Sequence, residues 1–376
     1  MTKDPDTRGE TLDDLIPIAE RFKPGGEVAG VREFGSGLVN ATFLVTLDAG
    51  EEKRFILQRV NTEVFPRPEL VMRNLRTVTE HVRGRLERAP LGGGRRWEVL
   101  RVLPARGGGD HWRGPDGSFW RAISFIEDAR TFDTVQDAAH AGEVGHALGT
   151  FHILLSDLPA ERLADTLRGF HVTPRYLRHF DEVAAKISGR NSPEVDYGLR
   201  FVSERRDWAG IIEDARAEGR LRPRPIHGDP KVNNVMMEIA TGRAVSMVDL
   251  DTAGPGLVHY DIGDCLRSGC NPLGEETGRL EEVRFEPELC RAILGGYLSA
   301  AGAFLTGDDY EYLYDAARLI AFELGLRFFT DYLEGNVYFK ARDEEHNLAR
   351  ALVQFRLTES IESQEAAIRA IIQEAR

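Results

Sequence analysis

The stretch that decides the fold is Ile226-His-Gly-Asp-Pro-Lys-Val-Asn-Asn234, which is followed by Ala244-Val-Ser-Met-Val-Asp-Leu-Asp251. The first segment carries an acid at Asp229, a base at Lys231 and an amide at Asn234, and the second ends an apolar run with further acids. Asp and Asn taken singly are ordinary turn formers. In this order and at this spacing, they predict one polar site built on a turn and a strand end.

The chemistry that needs such a set of groups is phosphoryl transfer. A carboxylate must hold and deprotonate the attacking hydroxyl, a role we assign to Asp229, and Lys231 beside it offsets charge on the transferred group. Magnesium takes oxygen ligands, and a hairpin between Asn234 and Asp249 would bring both to one ion. His227, Asp229 and Asn234 also match the H-R-D-L-x-x-x-N pattern of kinase catalytic loops.

Outward from this segment, the hydrophobic pattern divides the chain near residue 128. Before that point most runs predict strands, at residues 28–34, 41–47, 54–60, 97–103 and 119–125, with one helix at 68–86. Beyond it the runs predict helices at 135–158, 200–218, 288–301, 310–333 and 344–374. Between these helices lie a β-rich island at 224–251 and a loop rich in Gly and Asp. The pattern predicts an α+β protein with a small β-rich lobe, residues 1–127, and a larger helical lobe, residues 128–376.

A glycine turn between the first two predicted strands is the second candidate site. Gly35, Ser36 and Gly37 would let backbone N–H groups approach phosphates, although Gly-Ser-Gly is also a common flexible turn. The third glycine of the protein-kinase loop is absent, and Asn40 takes its place.

The strand at 54–60 is where kinases place a lysine against the α- and β-phosphates. Gln58 stands at that position here, and Arg59 follows it. We favour Arg59 as the phosphate contact because a bidentate cation suits phosphate; a solvated edge arginine is the alternative. Its acidic partner on the following helix would be Glu69 or Glu80.

Two arginines are candidate contacts to the acceptor. Arg267 follows the second motif closely, and Arg327 lies at the margin of an apolar helix face. Glu323, four residues before Arg327, offers an ordinary helix ion pair instead. Asp261 is expected either to brace the catalytic loop or to lie as an acid in the first turn of a helix.

Composition excludes several classes of partner. The chain has 376 residues, with 48 Lys+Arg against 61 Asp+Glu and a net charge of −13, whereas nucleic-acid and membrane-surface binders are basic. Three cysteines make no disulfide framework, and the polar start lacks a signal-peptide core. We therefore expect a cytoplasmic protein that binds neither nucleic acid nor membrane; its oligomeric state stays open.

The motifs resemble those of a known group. His227-Gly-Asp-x-x-x-x-Asn234 with Val248-Asp249 is similar to the aminoglycoside phosphotransferase and choline kinase group, small-molecule kinases with a protein-kinase-like two-lobed fold. Four segments further resemble its N-acetylhexosamine 1-kinase branch: Gly35-Ser-Gly-Leu-Val-Asn-Ala-Thr-Phe43, Ile56-Leu-Gln-Arg-Val-Asn61, Asp229-x-Lys231-x-x-Asn234, and Asp249-Leu-Asp-Thr252 with Pro255-Gly256.

This resemblance implies ATP and Mg²⁺ as cofactors and an N-acetylhexosamine as acceptor, phosphorylated at its anomeric hydroxyl. It makes Asp229 the catalytic base, Lys231 a γ-phosphate contact and Asp251 a second acidic position. It also implies that residues 1–127 bind the nucleotide and end in a hinge. There Phe125 and Ile126 hold adenine through backbone groups.

Three alternatives stay open. The acceptor could be an aminoglycoside or another amino alcohol. The segment from Asp249 also partly matches the D-x-D-x-T nucleophile motif of haloacid-dehalogenase-like phosphatases, although Ala253 stands where its threonine belongs. A pseudokinase-like binding module is the third, and the intact Asp229, Asn234 and Asp249 speak against it.

Overall fold

The computed structural model describes residues 12–22, 25–35, 39–50, 53–186 and 192–376. The fold groups into two compact units. One comprises Met1–Pro90, Glu98–Asp128 and Leu163–Thr166, and the other comprises Leu91–Trp97, Ala129–Arg162 and Leu167–Arg376. Leu91–Trp97 is thus grouped with the second unit and Leu163–Thr166 with the first. Hydrophobic patterning did not indicate either assignment.

The first unit is built on an antiparallel sheet with strand order β1-β2-β3-β6-β4, in which β5 also pairs with β6. Its elements are α1 (Ile16–Ala19), β1 (Val28–Glu33), β2 (Ala41–Leu47), β3 (Arg54–Val60), α2 (Pro68–Arg88), β4 (Val102–Leu103), β5 (Trp112–Arg113) and β6 (Phe119–Ser124). The predicted strand at 97–103 is reduced to the two residues of β4.

The two faces of this sheet differ in chemistry because successive strand residues point to opposite sides. One face buries an apolar cluster that includes Phe43, Val45, Phe55, Leu57 and Trp120. The opposite face carries the alternate positions, and there the register sets polar residues of β2, β3 and β6 side by side.

The second unit is mainly helical. Its elements are β7 (Ala129–Arg130), α3 (Ala138–Leu154), α4 (Thr173–Ala184), α5 (Pro193–Glu204), α6 (Ile211–Ala217), β8 (Arg224–Ile226), β9 (Val235–Glu238), β10 (Ala244–Met247), β11 (Gly254–Gly256), α7 (Val258–Gly269), α8 (Pro287–Ala301), α9 (Gly307–Glu311), α10 (Leu313–Glu334), α11 (His346–Ser363) and α12 (Glu365–Ala375). A sheet unit and a helical unit in one chain confirm the α+β prediction.

The helices of the second unit pack around aromatic side chains. Phe201 of α5, Phe322 and Phe329 of α10 and Phe355 of α11 are each at most 2% exposed and belong to one cluster. The single helix predicted at 200–218 is wrong, because α5 and α6 are separate helices.

Two small sheets lie between these helices. Strand β9 pairs with β10 and β7, and β8 pairs with β11. The segment that decides the fold, residues 226–234, connects β8 to β9, and Asp249 follows β10 by two residues. Asn234 therefore precedes β9 and Asp249 follows β10, at the same end of one antiparallel pair.

Candidate active site

Asp261, in the first turn of α7, holds the start of the catalytic loop. Its carboxylate accepts hydrogen bonds from the backbone N–H groups of His227, at 2.7 Å, and Gly228, at 2.8 Å. His152 donates from Nε2 to the same carboxylate at 2.9 Å, and its Nδ1 accepts from the hydroxyl of Tyr297. Burial raises the pKa of Asp261, but these donors outweigh it and hold that pKa below its ordinary value. The bracing role predicted for Asp261 is confirmed.

Gly228 allows the loop to turn sharply at this point. Its φ is +86°, and a Cβ there would lie 2.8 Å from the carbonyl oxygen of Thr252, so only glycine fits. Thr252 donates its hydroxyl to the carbonyl of His227 at 2.9 Å. On the other side, His171 donates from Nε2 to the carbonyl of Gly228 at 2.8 Å, while its Nδ1 lies 2.9 Å from Glu323.

The ring of His227 ties the two motif segments together. Its Nε2 donates to the carbonyl of Val248 at 2.9 Å, and Nδ1 accepts from the N–H of Asp229 at 3.3 Å. These partners assign the neutral Nε2–H tautomer, and burial lowers the pKa of His227 accordingly. The N–H of Val248 donates to the carbonyl of Asn234 at 2.9 Å. The residue that precedes Asp249 is therefore bonded to Asn234.

The carboxylate of Asp229 lies at the centre of the site. Its Oδ2 is 3.0 Å from the ammonium of Lys231 and accepts from Nδ2 of Asn234 at 3.1 Å. The side chains of Asp229 and Lys231 are 29% and 30% exposed, so both remain open to a ligand. Burial lowers the pKa of Lys231, but the charges of Asp229, Glu275 and Asp249 outweigh it and raise that pKa, which keeps the ammonium charged.

Asn234 and Asp249 present suitable atoms for a magnesium ion. Nδ2 of Asn234 is taken by the carbonyl and carboxylate of Asp229, so Oδ1 is the atom directed elsewhere. Asp249 is exposed and has a left-handed backbone, with φ 61° and ψ 55°. Among the described residues no three His, Cys, Asp or Glu side chains form a metal cluster, so the remaining ligands would come from phosphate oxygens and water.

Arg267 lies in a buried ion-pair network. Its side chain is 2% exposed, and it donates to Asp264 at 2.8 Å and to Glu275 at 2.5 Å. Burial lowers the pKa of Arg267, but the two carboxylates outweigh it and raise that pKa. Because both carboxylates already occupy the guanidinium, the structure gives no support to an acceptor contact by Arg267. That contact stays a prediction.

Arg327, on α10, has a different environment. Its guanidinium carbon lies 5.1 Å from the ring centres of Phe170 and Tyr176 and 5.3 Å from that of Phe339. The helix ion pair with Glu323 does not form, because Glu323 accepts from His171 and Thr173 instead.

Arg327 is also close to the catalytic loop. Phe170 packs on the ring of His171 at 4.0 Å between centres, and His171 holds the loop through Gly228. Burial lowers the pKa of Arg327, but several neighbouring groups, Asp229 among them, outweigh it and raise that pKa. Sequence reasoning did not identify His171 or His152, because nothing in the local sequence marks them.

Several predicted nucleotide contacts belong to the first unit. Gly35 has φ +78°, as a glycine turn requires, while Ser36 and Gly37 lie outside the described residues. The carboxamide oxygen of Asn40 accepts from the backbone N–H of Asn61 at 2.9 Å. This bond fixes the end of the turn against the end of β3.

Phe125 and Ile126 follow β6 directly. Ile126 is buried, and the half-buried ring of Phe125 packs edge-on against Phe34 at 5.8 Å. Arg54 lies over the same ring at 4.7 Å and pairs with Glu127. The contact of Phe125 and Ile126 with adenine stays a prediction.

Arg59 points away from the face that carries Gln58, because the two are neighbours on one strand. Its guanidinium lies 3.7 Å from Asp116. The proposed acidic partners pair elsewhere, Glu69 with Arg113 and Glu80 with Arg76. The strand register therefore gives no support to Arg59 as a phosphate contact, and that role stays a prediction.

Comparison with known proteins shows which family the chain belongs to. Residues 30–302 match the model of the phosphotransferase enzyme family known as APH. The chain belongs to the APH family. A homoserine kinase from Janthinobacterium sp. (strain Marseille) is 25% identical over 289 residues, which are 76% of this chain and 76% of that protein.

Solved structures of low sequence identity share the fold of this APH-family chain. A microcompartment-associated aminopropanol kinase superposes with a TM-score of 0.63 at 16% identity, covering 96% of this chain and 99% of that one. An aminoglycoside phosphotransferase from Alicyclobacillus acidocaldarius gives 0.61 at 14% identity, covering 98% and 99%. The predicted protein-kinase-like α+β class is confirmed.

These findings exclude one alternative. Asp249 follows an antiparallel hairpin, β9–β10, in an APH-family phosphotransferase, so the haloacid-dehalogenase-like interpretation of its motif is wrong. A separate finding concerns membranes: among the described residues, no helix is both long and apolar enough to span a bilayer.

Proposed function

We propose that the protein transfers the γ-phosphoryl group of ATP to the anomeric hydroxyl of an N-acetylhexosamine. The observation that carries the kinase part is the carboxylate of Asp229, held between the ammonium of Lys231 and the amide of Asn234. Four anchored loop contacts keep it there, from Asp261, His171, Thr252 and the ring of His227.

Catalysis then follows from what these side chains can do. Asp229 accepts a hydrogen bond from the attacking hydroxyl and takes its proton as the new O–P bond forms. The bond to the β-phosphate oxygen breaks, and ADP leaves with that electron pair. Lys231 offsets the negative charge on the transferred oxygens. The rigid loop contributes by holding the base in position, since a misplacement of about 1 Å costs on the order of a hundredfold in rate.

Asn234, through Oδ1, and Asp249, through its exposed carboxylate, would hold magnesium. A bound magnesium ion would supply positive charge against the phosphate oxygens of the nucleotide. Its hard-cation chemistry suits this all-oxygen donor set.

Arg327 supports an oxygen-rich, uncharged acceptor. Its guanidinium lies among three aromatic rings and makes no ion pair or hydrogen bond with any residue that the structure describes. Its N–H groups can therefore donate to hydroxyl and acetamido oxygens. A cationic acceptor would be repelled by the same charge. The four sequence segments that resemble those of the N-acetylhexosamine 1-kinase branch add support.

A second candidate acceptor is homoserine or a related amino alcohol that carries a carboxylate. The 25% identity with a homoserine kinase over 289 residues favours it, and a carboxylate could also pair with Arg327. A cationic amino alcohol without a carboxylate is disfavoured by the same arginine.

An ATP-consumption screen distinguishes these acceptors. The panel pairs N-acetylglucosamine with glucosamine, and homoserine with aminopropanol, so that each pair differs at the group that would meet Arg327. We expect N-acetylglucosamine or N-acetylgalactosamine to give the highest kcat/KM, and phosphorus NMR to show a sugar 1-phosphate. A 6-phosphate, or a higher kcat/KM with homoserine, would overturn the sugar assignment.

The base is tested separately by Asp229→Asn. Turnover should fall about a hundredfold or more, because the amide cannot accept the hydroxyl proton, while ATP affinity stays nearly unchanged. Near-normal turnover in this variant would refute the assignment of Asp229.

A further inference from the structure

The sequence of β3 places an uncharged residue where kinases have a phosphate-binding lysine. Gln58 occupies that position, and Arg59, beside it, points to the other face of the sheet. With a glutamine at this position, β3 itself offers the phosphates no cation. The strand neighbours of Gln58 supply one.

Arg121, on β6, lies directly opposite Gln58 in the sheet register. Its side chain is buried, at 2% exposed, so a phosphate reaches the guanidinium only by displacing the groups that cover it. Both Nε and Nη2 donate to Oε1 of Gln58, at 2.9 and 2.7 Å. The guanidinium is therefore held at the very side chain that replaces the lysine.

Gln58 is itself fixed from the other side. Its Nε2 donates to Oγ1 of Thr42 at 3.0 Å, and Thr42 lies opposite it on β2. Thr42, Gln58 and Arg121 thus form a row across three strands. Thr42 is the second residue of β2, so the row lies where the chain enters the sheet from the glycine turn.

The row explains why residue 58 is a glutamine. A lysine there would bring an ammonium against the guanidinium of Arg121, and two like charges at hydrogen-bond distance disfavour each other. The carboxamide instead accepts from Arg121 with its oxygen and donates to Thr42 with its nitrogen. The positive charge in this row is therefore on β6, and Gln58 orients it.

We propose that Arg121, oriented by Gln58, is the residue that contacts the α- and β-phosphates of the nucleotide in this protein. The assignment rests on the proposed use of ATP, although not on the identity of the acceptor. A planar guanidinium suits phosphate oxygens because it donates to two of them at once.

Nucleotide titrations without acceptor test the assignment. Arg121→Gln should weaken ATP binding about tenfold to a hundredfold, the range for hydrogen bonds to charged groups, and leave adenosine binding within about twofold. Glutamine can still bond Gln58, so this variant retains a partner in the row. Arg113→Gln, an exposed arginine on the adjacent β5, serves as the matched control and should bind ATP like the wild type.

A double variant that moves the cation to β3 distinguishes phosphate binding by Arg121 from a structural role of Arg121. In Gln58→Lys/Arg121→Gln the cation returns to β3, and ATP affinity should recover to within about fivefold of the wild type. Equal losses for ATP and adenosine in Arg121→Gln would assign Arg121 a structural role and overturn the proposal. So would a loss that appears in Arg59→Gln while Arg121→Gln binds ATP normally.

Failure of the acceptor screen would not be confused with either result. ATP binding is measured here with no acceptor present, whereas the sugar assignment is measured by turnover. A wild type that binds ATP but phosphorylates no sugar would refute only the acceptor proposal.

Discussion

The contacts of Asp261 make Asp261→Asn a sharp test of how the catalytic loop is held. Oδ1 accepts from the N–H of Gly228, and Oδ2 accepts from the N–H of His227 and from His152. An asparagine has only one acceptor oxygen. His152 can adapt by switching tautomer, because the hydroxyl of Tyr297 at its Nδ1 can donate or accept. One of the two backbone N–H groups is therefore left without an acceptor.

The expected cost follows from this count. One buried N–H loses its acceptor, and a second bond loses its charged partner, at about 1–3 kcal/mol for the first effect. The loop should therefore open more easily by about 2–4 kcal/mol in total. At 1.4 kcal/mol for each factor of ten, that is about 30-fold to about 700-fold faster amide exchange. Turnover should fall with it, because the backbone that carries Asp229 is no longer held in place.

Hydrogen exchange at residues 227–234, measured beside kcat, gives both numbers. Asp309→Asn is the matched control: Asp309 is also a buried carboxylate, bonded to Thr306 and Arg224, and makes no described contact with the loop. It should destabilise the second unit yet leave exchange at 227–234 and kcat nearly unchanged. If Asp261→Asn exchanges and turns over like the wild type, the bracing argument is refuted.

Three further predictions concern the same site. Gly228→Ala should lower the melting temperature more than Gly219→Ala, because both have positive φ but only the former brings a Cβ within 2.8 Å of Thr252. Backbone strain alone costs about 1–3 kcal/mol, and equal losses would contradict the clash. Burial lowers the pKa of His171, but its carboxylate partner outweighs this and raises that pKa above about 6.5. The stability from this pair is therefore full below that value and lost as pH rises through the raised pKa. The melting-temperature advantage of the wild type over His171→Asn should shrink as pH rises above about 6.5, and a difference that stays constant with pH would refute it. Asp249→Ala should raise the magnesium concentration for half-maximal turnover by about tenfold or more, and an unchanged magnesium requirement would remove Asp249 from the metal site.

Local pattern accounts for the parts of the fold that were predicted well. The bounds of β2 and β3 agree with the predicted 41–47 and 54–60 to the residue, because apolar runs between turn residues are a local signal. Helix α7 was not among the predicted helices and lies in the predicted Gly- and Asp-rich loop, although Asp261 was considered as an acid in a first helical turn. Gly263 has low helix propensity, but its position permits close packing, since a Cβ there would lie 2.6 Å from the carbonyl of Ala316.

The candidate site divides in the same way. Asp229, Lys231, Asn234 and Asp249 were proposed from sequence because phosphoryl transfer needs particular residue types at short spacing. The residues that hold them come from distant elements. His171 lies 57 positions from the carbonyl that it binds, and no local pattern reports such a contact.

The sequence by itself therefore determined the family and the residue types that the loop presents, since both depend on residues close together in the chain. Tertiary structure alone decided which charged side chains pair with each other and on which face of the sheet they lie. Glu323 bonds His171 rather than Arg327, although the helix spacing favours the ion pair. On β3, strand register turns Arg59 away and brings Arg121 to Gln58. The physical reason is common to both: a side chain's partner is set by what packs opposite it, which one chain segment cannot specify.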